Sequence, residues 1–325
     1  MISAKESVNP LKEKRIAAHL TVLAMTYGRK RHIARNSFTS TNSNAIDCNN
    51  SLWRLLSGSG DIMKQITVIG GDSRLKTAAE ILKSDGFAVN LTDYYTEKEA
   101  QNSDVLLLPV PTTRDSKTVF APLAKKEVLL SDIERLTKNE TLILTCNYMF
   151  EGKNCIDYGK DDAYCLLNAI PTAEGAIKLA IENTPFTLWG SRVLVIGCGR
   201  TGKILADRLK NIGCRVTVSA RKQSDFALIS AAGCRCEYTA DIPKNLNFDI
   251  IFNTVDVKVI PDDAFKECTA SLIIDLSSKG GFNISAAQGC GITAIKAPGL
   301  PGKTAPETAG KILAKTVKEI IESKT

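Results

Sequence analysis

The sequence predicts an α/β protein made of two doubly wound parallel-sheet domains joined by a linker helix. Three observations predict it. From Met63 onward, short apolar runs bounded by Gly or Pro alternate with helical stretches, the pattern of parallel strands covered on both faces. One run, Arg192-Val193-Leu194-Val195-Ile196, leads directly into Gly197-Cys198-Gly199-Arg200-Thr201-Gly202. The chain has 325 residues, enough for about two domains at ~150 residues each.

Residues 1–62 read unlike the rest. They hold nine Lys/Arg against four Asp/Glu, so most of the net charge of +7 sits there. A Ser/Asn/Thr-rich stretch runs from Asn36 to Ser51, and a short helix is expected around Leu11–Ala24. We read this segment as a disordered extension or an artefact of start-site assignment, with Met63 as the natural start. The first domain, 63–170, takes strands at Ile66–Ile69, Phe87–Leu91, Val105–Val110, Val128–Leu130 and Thr141–Thr145, with a helix at Arg74–Lys83. The linker helix, 171–184, is expected to open at Pro171-Thr172, with Thr172 as its cap, and to stop before Pro185. The second domain, 185–303, takes strands at Arg192–Ile196, Arg215–Ser219, Ile250–Asn253, Leu272–Leu276 and Thr293–Lys296, and a helix at Lys203–Asn211. A last helix in 304–325 has apolar Leu313, Val317, Ile320 and Ile321 at three- and four-residue spacing. It packs on one domain or the other.

Composition narrows the function. No apolar run approaches the ~18–20 residues of a membrane span. The basic N-terminal segment lacks interleaved aromatics, which argues against a nucleic-acid arm. The ten Cys, without a signal-peptide pattern, read as reduced thiols of a cytoplasmic protein. Cys234 and Cys236 lack a second pair at zinc-ligand spacing, so no metal is expected. Both histidines, His19 and His32, precede Met63, so proton transfer falls to other groups.

The glycine loop has the context that gives it meaning: a strand before it, a helix after it, then a second strand. Gly197 makes the tight turn, Gly199 admits a pyrophosphate to the backbone, and Gly202 lets helix and strand pack closely. Cys198 is a small filler. Arg200 and Thr201 open the helix whose N-terminus faces the phosphates. The second domain is therefore a Rossmann dinucleotide-binding domain. At the end of its second strand an NAD site carries Asp or Glu, but this chain reads Ser219-Ala220-Arg221-Lys222. Ser219, Arg221 and Lys222 suit a 2′-phosphate, so NADP is expected, with NAD the alternative. Asn253, Thr254, Pro298 and Gly299 follow later strands and belong to the same edge.

In the first domain, Gly70-Gly71-Asp72-Ser73-Arg74 occupies a phosphate-loop position without the third glycine. A smaller anion is expected there. Asp72, Arg74, Thr112, Thr113, Arg114 and Thr172 are the candidate substrate-binding residues. Glu174 is the candidate base, on the helix expected at the domain cleft, with Lys178 one turn on.

Five pieces, in this order, resemble the dipicolinate synthase A-subunit family of endospore-forming bacteria: Val68–Arg74, Asn168–Gly175, Val195–Gly202, Ile274–Ser278 and Ala297–Gly302. The family shows Gly-Leu-Gly-Arg-Thr-Gly where this chain has Cys198. The resemblance runs from Met63 to about Lys324 and does not include residues 1–62. It implies a nicotinamide-dependent oxidation of dihydrodipicolinate, from a branch of the lysine pathway, to dipicolinate during sporulation. It also implies a partner, the flavoprotein-like dipicolinate synthase B-subunit, with any flavin held there, and the mother-cell cytoplasm as location. The substrate's two carboxylates would suit Arg74 and Arg114. Other readings of the residues are a shikimate-type or other two-domain dehydrogenase, and a non-catalytic nucleotide-binding subunit. Self-association stays open.

Overall fold

A computed structural model of the chain describes residues 64–122, 124 and 126–324. The expectations for residues 1–62, including the helix near Leu11–Ala24 and the start at Met63, lie outside the described residues.

The first sheet is built from β1 (Gln65–Ile69), β2 (Ala88–Thr92), β3 (Val105–Leu107), β4 (Leu142–Thr145) and β5 (Cys155–Asp157), with α1 (Ser73–Ser84), α2 (Glu97–Gln101) and α3 (Leu130–Leu136) between them. All pairs are parallel and the order is β2-β1-β3-β4-β5. Alternate side chains of β1 go to opposite layers: Ile66 and Val68 to one core, Ile69 to another with Leu106, Leu108 and Ile143. This two-sided burial is why the strands read as unbroken apolar runs.

Helix α4 (Asp162–Glu182) leads into the second sheet. That sheet takes β6 (Arg192–Ile196), β7 (Arg215–Ala220), β8 (Arg235–Tyr238), β9 (Ile250–Asn253), β10 (Leu272–Asp275) and β11 (Thr293–Lys296), with α5 (Arg200–Asn211), α6 (Gln223–Ala231) and α7 (Ile284–Gly289) among them. Its order is β11-β10-β9-β6-β7-β8, again all parallel. The fold is thus two doubly wound parallel sheets, and each order reverses once, at β1/β3 and at β6/β9. Ligands of such sheets bind outside the carboxyl ends at the reversal.

After β11 come α8 (Leu300–Thr304) and α9 (Pro306–Glu322). Helix α9 returns to the first sheet: Leu313, Ala314, Val317 and Ile321 are buried with Leu75, Ala78 and Leu82 of α1. Each large side chain buried there contributes about 1.5–3 kcal/mol. The helices approach closely at Gly310, where a Cβ would lie 2.6 Å from Thr77 Cβ and 2.8 Å from the Arg74 carbonyl oxygen.

Four expectations need correction. The linker helix starts at Asp162, not at Pro171. Asp161 is its cap and accepts from the Tyr164 N–H at 2.6 Å. Pro171 lies inside the helix, where it withholds an N–H from the preceding turn. Thr172 is no cap; its hydroxyl donates to the Asn168 carbonyl at 2.8 Å, one turn back in the helix. Val128–Leu130 is not a strand but a single antiparallel bridge, Thr118 to Leu129, ahead of α3. The strands β5 and β8 escaped the sequence reading: both lie at sheet edges and lack a run of buried apolar side chains. No helix among the described residues is long and apolar enough to cross a membrane.

Candidate functional site

The loop Gly197–Gly202 joins β6 to α5 at the reversal of the second sheet. Gly197 has φ +103°, in the region that favours glycine. A Cβ there would lie 2.6 Å from Val255 Cγ1 and 2.7 Å from Thr254 Oγ1. A Cβ at Gly202 would collide with the Gly197 carbonyl. At Gly199, by contrast, it would meet nothing within 4 Å, so the backbone there faces open space. Gly199 is the N-cap of α5, with no side-chain cap and no acidic residue in the first turn. The helix therefore presents uncapped donors and a partial positive charge to that space. The underside of the loop is held by Thr254, whose hydroxyl donates to the Ile196 carbonyl at 2.8 Å. Ser219 is wholly buried; its hydroxyl accepts from the Gly197 N–H and from the Thr239 hydroxyl, both at 3.3 Å. Burial raises the pKa of the Cys198 thiol, although Lys203 pulls it down, so the thiol stays protonated.

The carboxyl edges of the two sheets meet along a seam. Arg74, 4% exposed, donates through Nε to both Asp72 carboxylate oxygens (2.9 and 3.0 Å) and through Nη2 to Asp72 Oδ2 (2.6 Å) and the Val110 carbonyl (2.8 Å). Burial would lower its pKa, but the Asp72 carboxylate outweighs that and holds it above the ordinary value. A Cβ on Gly302, in α8 of the second half, would run into Asp72 Oδ2 and approach Arg74 Nε at 2.8 Å. Across the same seam Arg200, the first residue of α5, pairs with Asp162, the first residue of α4, at 3.1 Å.

A sequence profile of the dipicolinate synthase A-subunit N-terminal domain matches residues 65–156. The dipicolinate synthase A-subunit of Bacillus subtilis (strain 168) is 31% identical over 243 residues, 67% of this chain and 82% of the relative. The chain belongs to the dipicolinate synthase A-subunit family. The crystal structure of the Bacillus halodurans family member superposes with a TM-score of 0.72 at 29% identity, covering 79% of this chain and 97% of that one. The apo D-lactate dehydrogenase of Escherichia coli shares the fold at a TM-score of 0.53 and 15% identity, covering 80% and 96% of the two chains.

Several residues expected to face ligands in this family member are otherwise engaged. Thr112 is fully buried; its hydroxyl accepts from the Cys146 N–H at 2.8 Å and donates to the Pro109 carbonyl at 3.3 Å. Thr113 donates to Asp115 and accepts from the Ser116 N–H. Arg114 lies over the Phe120 ring, 3.8 Å from its centroid, without a carboxylate partner among the described residues. Asn253 is buried and donates to Asp275 (2.8 Å) and to the Val255 carbonyl (2.9 Å). Glu174 is not at the carboxyl edge. It pairs with Arg208 of the last turn of α5, at 3.5 Å, two turns from the glycine loop, and is more than half exposed. Lys178 pairs with Glu182 at 3.7 Å rather than with Glu174. Pro298 and Gly299 form the turn into α8, where Gly299 takes φ +71°.

Arg221 and Lys222 are exposed past the end of β7, with no ion pair among the described residues. No group of three or more His, Cys, Asp or Glu able to hold a metal occurs among the described residues. The sequence reading missed two features. One is Asp162, whose signal was its place one residue after the cap of α4. The other is the buried Asp275 carboxylate, which organises the loop after β10; its signal was the run Ile274-Asp275-Leu276-Ser277-Ser278.

Proposed function

We propose that this chain is the nicotinamide-binding subunit of a dipicolinate synthase and oxidises dihydrodipicolinate to dipicolinate together with the B-subunit. The observation that carries the reading is the glycine loop at the β6/β9 reversal, open above Gly199 and uncapped, in a member of this family. The residues fit a dinucleotide. Gly197, Cys198, Gly199, Arg200, Thr201 and Gly202 form the pyrophosphate cradle. Arg221 and Lys222 supply two cations for a 2′-phosphate, so NADP is favoured over NAD. Ser219 supports the loop from below instead of touching the phosphate. Thr254 and Asn253 shape the floor, and Pro298-Gly299 the far wall. When bound, the nicotinamide supplies the hydride acceptor.

In this reading the second half, with residues 185–303, is the cofactor domain, and residues 63–170 form the wall that closes over the substrate. Arg114 stacks on the Phe120 ring of that wall, while Arg74 and Asp72 hold the wall in place. Loss of hydride and proton makes the substrate ring aromatic, so the proton can leave to water at the open edge; Glu174 and Lys178 take no part. The protein then works in the mother-cell cytoplasm of a sporulating bacterium.

The test is dipicolinate formation, followed by its ultraviolet absorbance, from enzymatically generated dihydrodipicolinate. The full chain would be assayed with NADP or NAD, alone and with the B-subunit. Formation that needs this chain and NADP is expected. Cofactor binding without any formation, whether or not the B-subunit is present, would overturn the oxidative reading and leave a nucleotide-binding subunit.

A further inference from the structure

A cavity lies along the same edge, past the glycine loop. The carboxyl ends of β10 and β11 and the loops after β9 and β10 border an open cavity of about 270 Å³ lined by Lys258, Asp275, Lys279, Gly280, Phe282 and Lys296, among others. Three ammonium groups border it. Lys258 is paired with Asp262 at 2.7 Å. The ammonium groups of Lys279 and Lys296 have no ion pair or hydrogen bond among the described residues. A Cβ on Gly280 would lie 3.6 Å from Lys296 Nζ and 4.0 Å from Asp275 Oδ2, so the Lys296 head lies close over the Gly280 backbone.

The loop that presents Lys279 is tightly built for one that ends in an exposed lysine. The Ser278 and Lys279 N–H groups donate to Asp256 Oδ1 at 2.7 and 3.0 Å. The Gly280 N–H donates to Ser277 Oγ at 3.0 Å, and the Gly281 N–H to Asp275 Oδ2 at 3.1 Å. Asp275, fully buried, also accepts from the Ser277 N–H and hydroxyl and from Asn253. Gly280 sits at φ +97°, and a Cβ on Gly281 would collide with the Asn253 amide. The backbone under Lys279 is therefore fixed before any ligand arrives, the preorganisation that lowers the cost of binding.

Resting on the function proposed above, we propose that this cavity is the carboxylate-binding subsite for the substrate, with Lys279 and Lys296 as its anchors. The ligand class is a small ring bearing two carboxylates. Two unpaired ammonium groups match two negative charges, and Phe282 offers the ring an apolar wall. The cavity sits in the half of the sheet opposite the glycine loop, where the second mononucleotide of a dinucleotide lies. A ring held there stands beside the nicotinamide and away from the adenosine. The engagement of Arg74 and Thr112 within the first half removes the strongest competing anchors.

The test uses the full chain and pyridine-2,6-dicarboxylate, titrated by calorimetry, with inorganic phosphate as a competing dianion. Lys279→Gln and Lys296→Gln should each weaken binding roughly tenfold, the loss of one charge-assisted contact. Lys279→Arg should recover most of it. NADP binding, followed by fluorescence, should stay within about threefold in every variant, and in turnover KM should rise more than kcat falls. Displacement of the dicarboxylate by millimolar phosphate would overturn the proposal in favour of a general phosphate site. Wild-type binding that neither glutamine variant weakens would also overturn it, as would no wild-type binding at all. Turnover with KM unchanged in both variants would sink this subsite and leave the oxidative function intact. Lysine-dependent binding without turnover would do the reverse.

Discussion

Replacing Arg74 with Met separates a structural role from a ligand-binding one. The methionine keeps most of the apolar stem and removes four hydrogen bonds, three to Asp72 and one to the Val110 carbonyl. Asp72, 23% exposed, would keep only the Arg74 N–H at the start of α1. Removing one partner of a buried ion pair costs about 3–5 kcal/mol. The partial exposure of Asp72, and its favourable place at a helix N-terminus, put this case at the lower end, about 3 kcal/mol. At about 2–4 °C per kcal/mol for a chain of this order, the midpoint should fall by roughly 6–12 °C. Urea titration and calorimetry of the full chain read the loss, and steady-state turnover reads KM. A double replacement, Asp72→Ala with Arg74→Met, should cost less than the two single changes added together. If Arg74→Met keeps its stability within about 0.5 kcal/mol and raises KM more than tenfold, the arginine binds substrate and the reasoning fails.

Three other outcomes follow from the same geometry. Arg221→Ala with Lys222→Ala should raise KM for NADP by roughly ten- to a hundredfold and change KM for NAD by less than threefold; equal effects on both would make these cations solvated loop charges. Gly202→Ala drives a methyl into the Gly197 carbonyl, so fluorescence titration should show cofactor affinity reduced at least about a hundredfold. Retained affinity would mean that the pyrophosphate does not sit on this turn. Glu174→Gln removes a half-exposed ion pair at 3.5 Å, worth no more than about 0.5–1 kcal/mol, and should leave kcat within twofold; a hundredfold fall would restore Glu174 as the base.

The parallel sheets were legible because buried strands leave unbroken apolar runs, and the glycine loop because a strand and a helix flank it. The edge strands β5 and β8 were not, since a strand buried on one side or neither leaves no such run. Pro171 misled for a physical reason. Proline is common in the first turn of a helix, and here it lies in the middle of one. The residue types at the site were readable, but their partners were not. Nothing near Arg74 in sequence says that Val110, 36 positions on, completes its hydrogen bonds. Nor does local spacing say that Glu174 faces Arg208 in place of the cleft. The first pairing arises from how the loop after β3 lies against α1, the second from how α4 packs on α5, and periodicity alone gives neither.

The distribution of unengaged polar groups divides the molecule. At the first sheet's edge, Asp72, Arg74, Thr112 and Thr113 are tied to one another or to nearby backbone. At the second sheet's edge the α5 N-terminus is uncapped, and Arg221, Lys222, Lys279 and Lys296 lack ion pairs among the described residues. The matched family profile covers the first sheet, residues 65–156, and the D-lactate dehydrogenase superposition, over 80% of the chain, takes in both sheets. In the function proposed above, the first half contributes shape more than charge. Gly302 carries that argument. Its missing side chain lets α8 lie against the Asp72–Arg74 pair, so the position of the second half is set by a pair that is itself locked to the loop after β3. In that reading a wall so fixed would define the width of the space above the glycine loop, and would select a flat ring over a bulkier acid without contributing a strong ligand of its own.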